Sequence, residues 1–199
     1  MKIGKGLFAN EWHDSCFSID YDNYYHSGFR GIIFDIDNTL VPHGKMGDEE
    51  LVRFIEGLKD IGFKIILVSN NSRERNKKFA DPLGIDYIYK AGKPSIKGYQ
   101  EACRRLEIPA DRFLCIGDQL FTDIWGGNRA GMHTILVNPI DPAEEIQIIL
   151  KRKLEKPVLA LYRSTLDKYG LEYPDHRRPE GKAKIVNNLG EKGRSHRNR

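Results

Sequence analysis

Cysteine is scarce in this chain, with 3 in 199 residues. Cys16, Cys103 and Cys115 lie far apart and form no C-x-x-C pair. That argues against a disulfide framework and against a cysteine-based zinc site, and it leaves reduced thiols in a cytoplasmic protein as the plain reading. Long hydrophobic runs are missing too. A membrane-spanning helix needs roughly 20 apolar residues, and runs such as Ile65–Val68 and Ile148–Leu150 are far too short. Met1–Trp12 has no apolar stretch of the length a secretory signal needs. Acidic residues are depleted in one region only. Residues 151–199 hold 14 Lys+Arg against 6 Asp+Glu, while the rest of the chain holds 18 against 22. The body is therefore mildly acidic and the C-terminal quarter basic. A basic segment suits an anionic membrane surface, RNA or a ribosome, or simply solvent.

What is present is an alternation of strand-like and helix-like patterns over residues 31–139. Gly31–Asp37 reads as a buried strand, followed by a helix that starts at Asp48-Glu49-Glu50 and ends at Gly62. Phe63–Val68 is a second strand, and Arg73–Ala80 is a polar helix. Asp86–Lys90 is a third strand, Ile96–Leu106 a helix, and Arg112–Ile116 a fourth strand. Thr122–Ala130 is a short helix closed by Gly131, and His133–Val137 is a fifth strand. The pattern predicts an α/β fold with a doubly wound parallel sheet of five strands, ordered 3-2-1-4-5. Residues 1–30 are an aromatic-rich lead-in expected to pack on the sheet edge. Two further helices are expected over 143–155 and 158–169, divided by Pro157, within a domain spanning 31–170. Residues 171–199 read as a basic, disordered tail.

Four strand ends carry polar groups where an open parallel sheet binds its ligands. The first delivers Asp35 and Asp37, followed by Asn38 and Thr39. The second delivers Ser69, Asn70 and Asn71. The third leads into Ala91-Gly92-Lys93-Pro94, and the fourth into Gly117-Asp118, with Asp123 five residues on. Several carboxylates, one lysine and small hydrogen-bonding side chains suit Mg²⁺ facing a phosphate. Taken singly, Ser69 reads as a turn residue and Lys93 as a surface residue, while Asp123 fits the first turn of its helix. Their joint placement on one rim favours a functional role. Asn70 and Asn71 stay open between phosphate contact and turn chemistry. His43, Cys103 and Cys115 have no partners that suggest chemistry.

The order D-x-D-x-T, serine, lysine, G-D-x-x-x-x-D across residues 31–123 resembles the haloacid dehalogenase superfamily. The I-I-F-D-I-D-N-T-L-V-P start, S-N-N and G-K-P narrow the resemblance. They point to the capless class III phosphatases grouped with bacterial YqeG proteins and phosphatidylglycerophosphate phosphatases. The resemblance implies a Mg²⁺-dependent phosphomonoester hydrolase working through an aspartyl-phosphate. In it, Asp35 is the nucleophile and Asp37 the general acid and base. Ser69 and Lys93 hold and neutralise the phosphoryl group, and Asn38, Thr39 and Asn70 contact substrate or shape its turn. Asp35, Asp37, Asp118 and Asp123 hold the metal.

The chain has no room for a cap domain between Val41 and Gly47, nor between the third strand and Lys93. An open site suits a bulky phosphate ester, and the family branch implies phosphatidylglycerophosphate at a membrane surface. A phosphatase of a soluble, nucleic-acid or protein phosphate remains the first alternative. A non-enzymatic RNA- or ribosome-associated adaptor on the same scaffold is the second. Lys151, Arg152, Lys153 and Lys156, interleaved with apolar residues, fit either a membrane-facing helix or one packed on protein.

Overall fold

The computed structural model describes residues 6–141, together with Ala160 and Ser164. The helices expected over 143–155 and 158–169 and the tail from 171 lie outside the described residues, except that Ala160 and Ser164 are helical. The strands are β1 (Glu11–His13), β2 (Gly31–Phe34), β3 (Lys64–Val68), β4 (Asp86–Ile88), β5 (Phe113–Gly117) and β6 (His133–Val137). The helices are α1 (Tyr21–His26), α2 (Glu49–Ile61), α3 (Arg73–Leu83), α4 (Lys97–Leu106) and α5 (Trp125–Ala130). All strand pairs are parallel, in the order β1-β6-β5-β2-β3-β4. The five expected strands stand in their expected order, and the sheet gains a sixth at one edge.

That sixth strand is a correction with a local cause. Glu11-Trp12-His13 is too short to show a period, and two of its three residues are polar. It pairs with β6 through Glu11 opposite Ile135 and His13 opposite Val137. Trp12 is buried, and its indole N–H donates to Asn138 Oδ1 at 3.1 Å. Glu11 bonds the His13 and His133 rings at 3.0 and 2.9 Å, and these bonds hold its carboxyl well below the usual range.

Successive residues of a strand face opposite sides of the sheet, and the central strands use both. Ile32, Phe34, Ile65, Leu67, Leu114 and Ile116 pack with Leu51, Ile55 and Leu58 of α2 and with Phe79 and Leu83 of α3. Ile33, Ile66, Val68, Phe113 and Cys115 pack on the other face with Tyr99 and Ala102 of α4. A smaller cluster joins Ala9 and Trp12 to Leu120, Ile124 and Leu136 at the β6 edge. Local chemistry sets the helix ends. The Asp48 side chain accepts from Leu51 N at the start of α2, and Gly62 closes it at φ 113. Ser72 caps α3 by accepting from Arg75 N. That helix continues past the expected end at Ala80 through Pro82, because a proline in the last turn forfeits only one hydrogen bond before Gly84 closes the helix.

β2 is also shorter than expected. It stops at Phe34, so Asp35 and Asp37 stand in the loop beyond its end. Asp35 N still donates to Ile116 O at 3.1 Å, which keeps this loop beside β5. Between β2 and α2 lies only the segment 35–48, and between β4 and α4 only 89–96; neither holds a cap domain.

Candidate active site

The C-terminal ends of β2, β3, β4 and β5 meet on one rim, and Lys93 lies at its centre. Its Nζ donates to Asp35 Oδ1 at 2.5 Å and to Asp123 Oδ1 at 2.6 Å, with only 4% of the side chain exposed. Burial works against the ammonium, but Asp123 and Asp35 outweigh it and hold the Lys93 pKa above the ordinary lysine value. Lys93 is therefore charged. Asn70 fixes its backbone: Asn70 Oδ1 accepts from Lys93 N at 2.8 Å, and Asn70 Nδ2 donates to Lys93 O at 3.4 Å.

Asp123 arrives on a π-helical turn, Leu120–Ile124, rather than on the first turn of an ordinary helix. Its Oδ2 accepts from Gln119 N at 3.2 Å. The turn comes so close to β5 that a Cβ at Gly117 would lie 2.4 Å from Asp123 Cβ and Cγ. Buried Tyr99 supports the same turn, with its hydroxyl 3.2 Å from Thr122 O and 3.4 Å from Asp123 O. Asp118, also buried, follows Gly117 directly. One carboxylate oxygen from each of Asp35, Asp118 and Asp123 lies within 4.8 Å of the others. Three carboxylates with one lysine leave an excess of negative charge on hard oxygen donors. That donor set fits a divalent cation such as Mg²⁺.

Asp35 keeps only 11% of its side chain exposed. Burial raises its carboxyl pKa to about 6, Lys93 opposes the rise, and Asp123 adds to it. Asp37 has a different environment. Its Oδ2 accepts from Asn71 Nδ2 at 2.5 Å, and its Oδ1 accepts from Gly44 N at 2.8 Å and Arg75 Nη2 at 3.1 Å. Burial pushes the Asp37 carboxyl up, but these three donors together hold it below the ordinary carboxylate value.

The remaining residues singled out in the sequence divide into two groups. Ser69 is buried at the rim, and its Oγ accepts from Asn71 N at 3.1 Å. Asn38 and Thr39 are buried in the turn after Asp37. Asn38 takes φ 64, a left-handed conformation that asparagine tolerates. Its Oδ1 accepts from Asp141 N at 3.3 Å, and the Thr39 carbonyl accepts from Cys16 Sγ at 3.0 Å. These two residues tie the loop to the rest of the body. Asn71, left open in the sequence, reaches Asp37. Arg75, Gly44 and Tyr99 carried no recognised signal. For Arg75 the usable clue was a cation one turn into a helix that follows S-N-N.

A family model for haloacid dehalogenase-like hydrolases matches residues 45–131. The chain is also 38% identical over 159 residues to Probable phosphatase YqeG of Bacillus subtilis, covering 79% of this chain and 92% of that protein. The chain belongs to the haloacid dehalogenase-like hydrolases. Within that family it is a phosphatase, a hydrolase of phosphoric monoesters. Two further relatives are named as phosphatidylglycerophosphate phosphatase 1. The chloroplastic protein of Chlamydomonas reinhardtii is 30% identical over 169 residues, and the chloroplastic/mitochondrial protein of Arabidopsis thaliana is 31% identical over 168. Each match covers 79% of this chain, but this chain spans only 61% and 47% of those proteins.

Proposed function

We propose that this phosphatase hydrolyses its ester through an aspartyl-phosphate on Asp35, with Mg²⁺ as cofactor and phosphatidylglycerophosphate as substrate. The observation that carries the reading is the placement of Lys93 between Asp35 and Asp123, with Asp118 completing a tight carboxylate cluster. Asp35, Asp118, Asp123 and the Asp37 backbone carbonyl would hold the Mg²⁺. When bound, the ion supplies charge neutralisation to the phosphoryl oxygens.

The residues of the chain divide the remaining work. Asp35 carboxylate attacks phosphorus, and the bond from phosphorus to the ester oxygen breaks. The departing oxygen takes a proton from the Asp37 carboxyl. Ser69 donates to a phosphoryl oxygen, and Lys93 balances the negative charge of the phosphate and of Asp35. Asn70 holds Lys93 in place, and Asn38 and Thr39 shape the turn that carries Asp37.

The lipid substrate rests on the two relatives named for it and on the absence of a cap, which leaves room for a headgroup whose chains stay in a bilayer. Among the described residues no helix is long and apolar enough to cross a membrane. The basic residues Lys151, Arg152, Lys153 and Lys156 would supply a peripheral contact, at about 1 kcal/mol for each charge near an anionic surface. Three free cysteines fit a cytoplasmic setting.

The test is a phosphate-release screen over phosphatidylglycerophosphate in micelles, sugar phosphates and nucleotides, with Mg²⁺ and with EDTA. Preference for the lipid, lost in EDTA and restored by Mg²⁺, is the expected result. Full turnover in EDTA would refute the cofactor. Preference for a soluble ester would refute the lipid and leave the phosphatase standing.

A further inference from the structure

A carboxylate offers about four lone-pair sites, and three of those on Asp37 are taken. Gly44 N and Arg75 Nη2 share Oδ1, and Asn71 Nδ2 binds Oδ2. His43 Nδ1 stands 4.0 Å from Oδ1, beyond hydrogen-bond range. Among the described residues one acceptor site is left, and it is on Oδ2. Arg75 is the only side chain among these donors that also reaches elsewhere. The same Nη2 donates to the Lys45 carbonyl, and Nη1 contacts Met46 Sδ at 3.1 Å. Arg75 extends from the first turns of α3, fixed there by the Ser72 cap, and 19% of its side chain is exposed. A single guanidinium thus locks the carboxylate and clamps the 43–46 loop beside it.

We propose that Arg75 is the positioning residue of Asp37 in the second half of the reaction, presenting Oδ2 as the proton acceptor for the attacking water. The inference rests on the aspartyl-phosphate reading above. In this step the water oxygen bonds to phosphorus. The bond from phosphorus to the Asp35 oxygen breaks, and its electron pair returns to the Asp35 carboxylate. The water proton passes to Asp37 Oδ2, and inorganic phosphate leaves. A planar fork that holds Oδ1 fixes the plane of the carboxylate and with it the direction of Oδ2. The same oxygen protonates the leaving alkoxide of a lipid ester in the first half, but p-nitrophenolate departs without a proton, so on that ester the loss of Arg75 falls on the second half.

The experiment compares Arg75→Ala with wild type on phosphatidylglycerophosphate micelles and on p-nitrophenyl phosphate. Steady-state phosphate release gives kcat and kcat/KM, and acid-quenched samples give the fraction of phosphoenzyme by intact mass. On p-nitrophenyl phosphate the expected result is a fall in kcat of about tenfold or more, a clearly smaller fall in kcat/KM, and a rise in phosphoenzyme, with kcat/KM falling further on the lipid, whose leaving oxygen needs the proton. An equal fall in both constants on p-nitrophenyl phosphate without phosphoenzyme build-up would overturn the inference, as would a raised KM with kcat unchanged. Thermal unfolding identifies a variant that fails to fold. In that case Arg75→Lys, which keeps the charge but not the fork, is judged by the same measurements. A wild type that turns over neither substrate would remove the reading on which the inference rests. An active wild type beside a variant with unchanged partitioning would overturn the inference alone.

Discussion

At the scale of single residues, the site depends on two carboxylates two positions apart with opposite environments. Asp35 faces the buried cluster, where losing water outweighs the attraction of Lys93, and its pKa rises to about 6. Asp37 faces donors, and its pKa falls. The first half needs Asp35 ionised and Asp37 protonated although Asp37 holds the lower pKa, so the reacting form carries one proton between the two and kcat/KM should fall as pH rises above about 6. A bound cation favours the Asp35 carboxylate, so raising Mg²⁺ should move that limb to lower pH. Profiles at two Mg²⁺ concentrations check both points. A profile flat to well above that value at low Mg²⁺ would show that the two carboxyls do not share the work in this way. The place of Asp35, Asp37 and Asp118 on the rim was legible because each follows an apolar strand with a polar group, and that of Lys93 only through the company of the other strand ends. Arg75 and Asn71 were not, because their role depends on which side chain they meet across the rim. An arginine early in a helix reads as solvated until the fold places Asp37 beside it.

At the scale of elements, the connection after β5 matters most. The sequence reads as a strand followed by a helix starting at Thr122, whereas the chain forms a π-helical turn before α5. Hydrophobic spacing does not distinguish one turn of wider radius from an ordinary helix start. The consequence is functional, since the wider turn brings Asp123 down onto Lys93. Gly117 makes that approach possible, because any Cβ there would collide with the Asp123 side chain. Gly117→Ala should therefore displace a proposed metal ligand while leaving the strand intact. The expected effect is a rise of about tenfold or more in the Mg²⁺ concentration needed for half-maximal turnover. A Mg²⁺ titration of the variant checks this, and an unchanged requirement would mean that the turn has room to move.

At the scale of the whole molecule, the strand order was legible and the sixth strand was not. Strands β2 to β6 carry enough apolar residues between turn signals to be recognised, and parallel pairing with helical crossovers leaves few alternatives for their order. β1 earns its place through one tryptophan and a long-range pairing that no local pattern reveals. Trp12 also packs in the cluster that contains Leu120 and Ile124, the residues that flank Asp123 on its turn. Trp12→Ala should cost about 3–5 kcal/mol of stability, measured by denaturant unfolding. It should weaken turnover more than a distant core substitution of equal cost. Equal losses of turnover would mean that the edge strand stabilises the fold without shaping the site.

The most direct test of the central claim is Asp35→Asn, assayed for phosphate release and thermal unfolding side by side. The amide has nearly the same shape but cannot form the aspartyl-phosphate. The folded-state pKa of Asp35 lies above its ordinary value, so the stability it contributes at low pH is lost as pH rises through about 6. A neutral amide avoids that loss. Above this pH the variant should unfold no earlier than wild type, while turnover drops by about a thousandfold or more. A folded variant that keeps more than about a tenth of wild-type turnover would contradict the assignment of Asp35 as nucleophile.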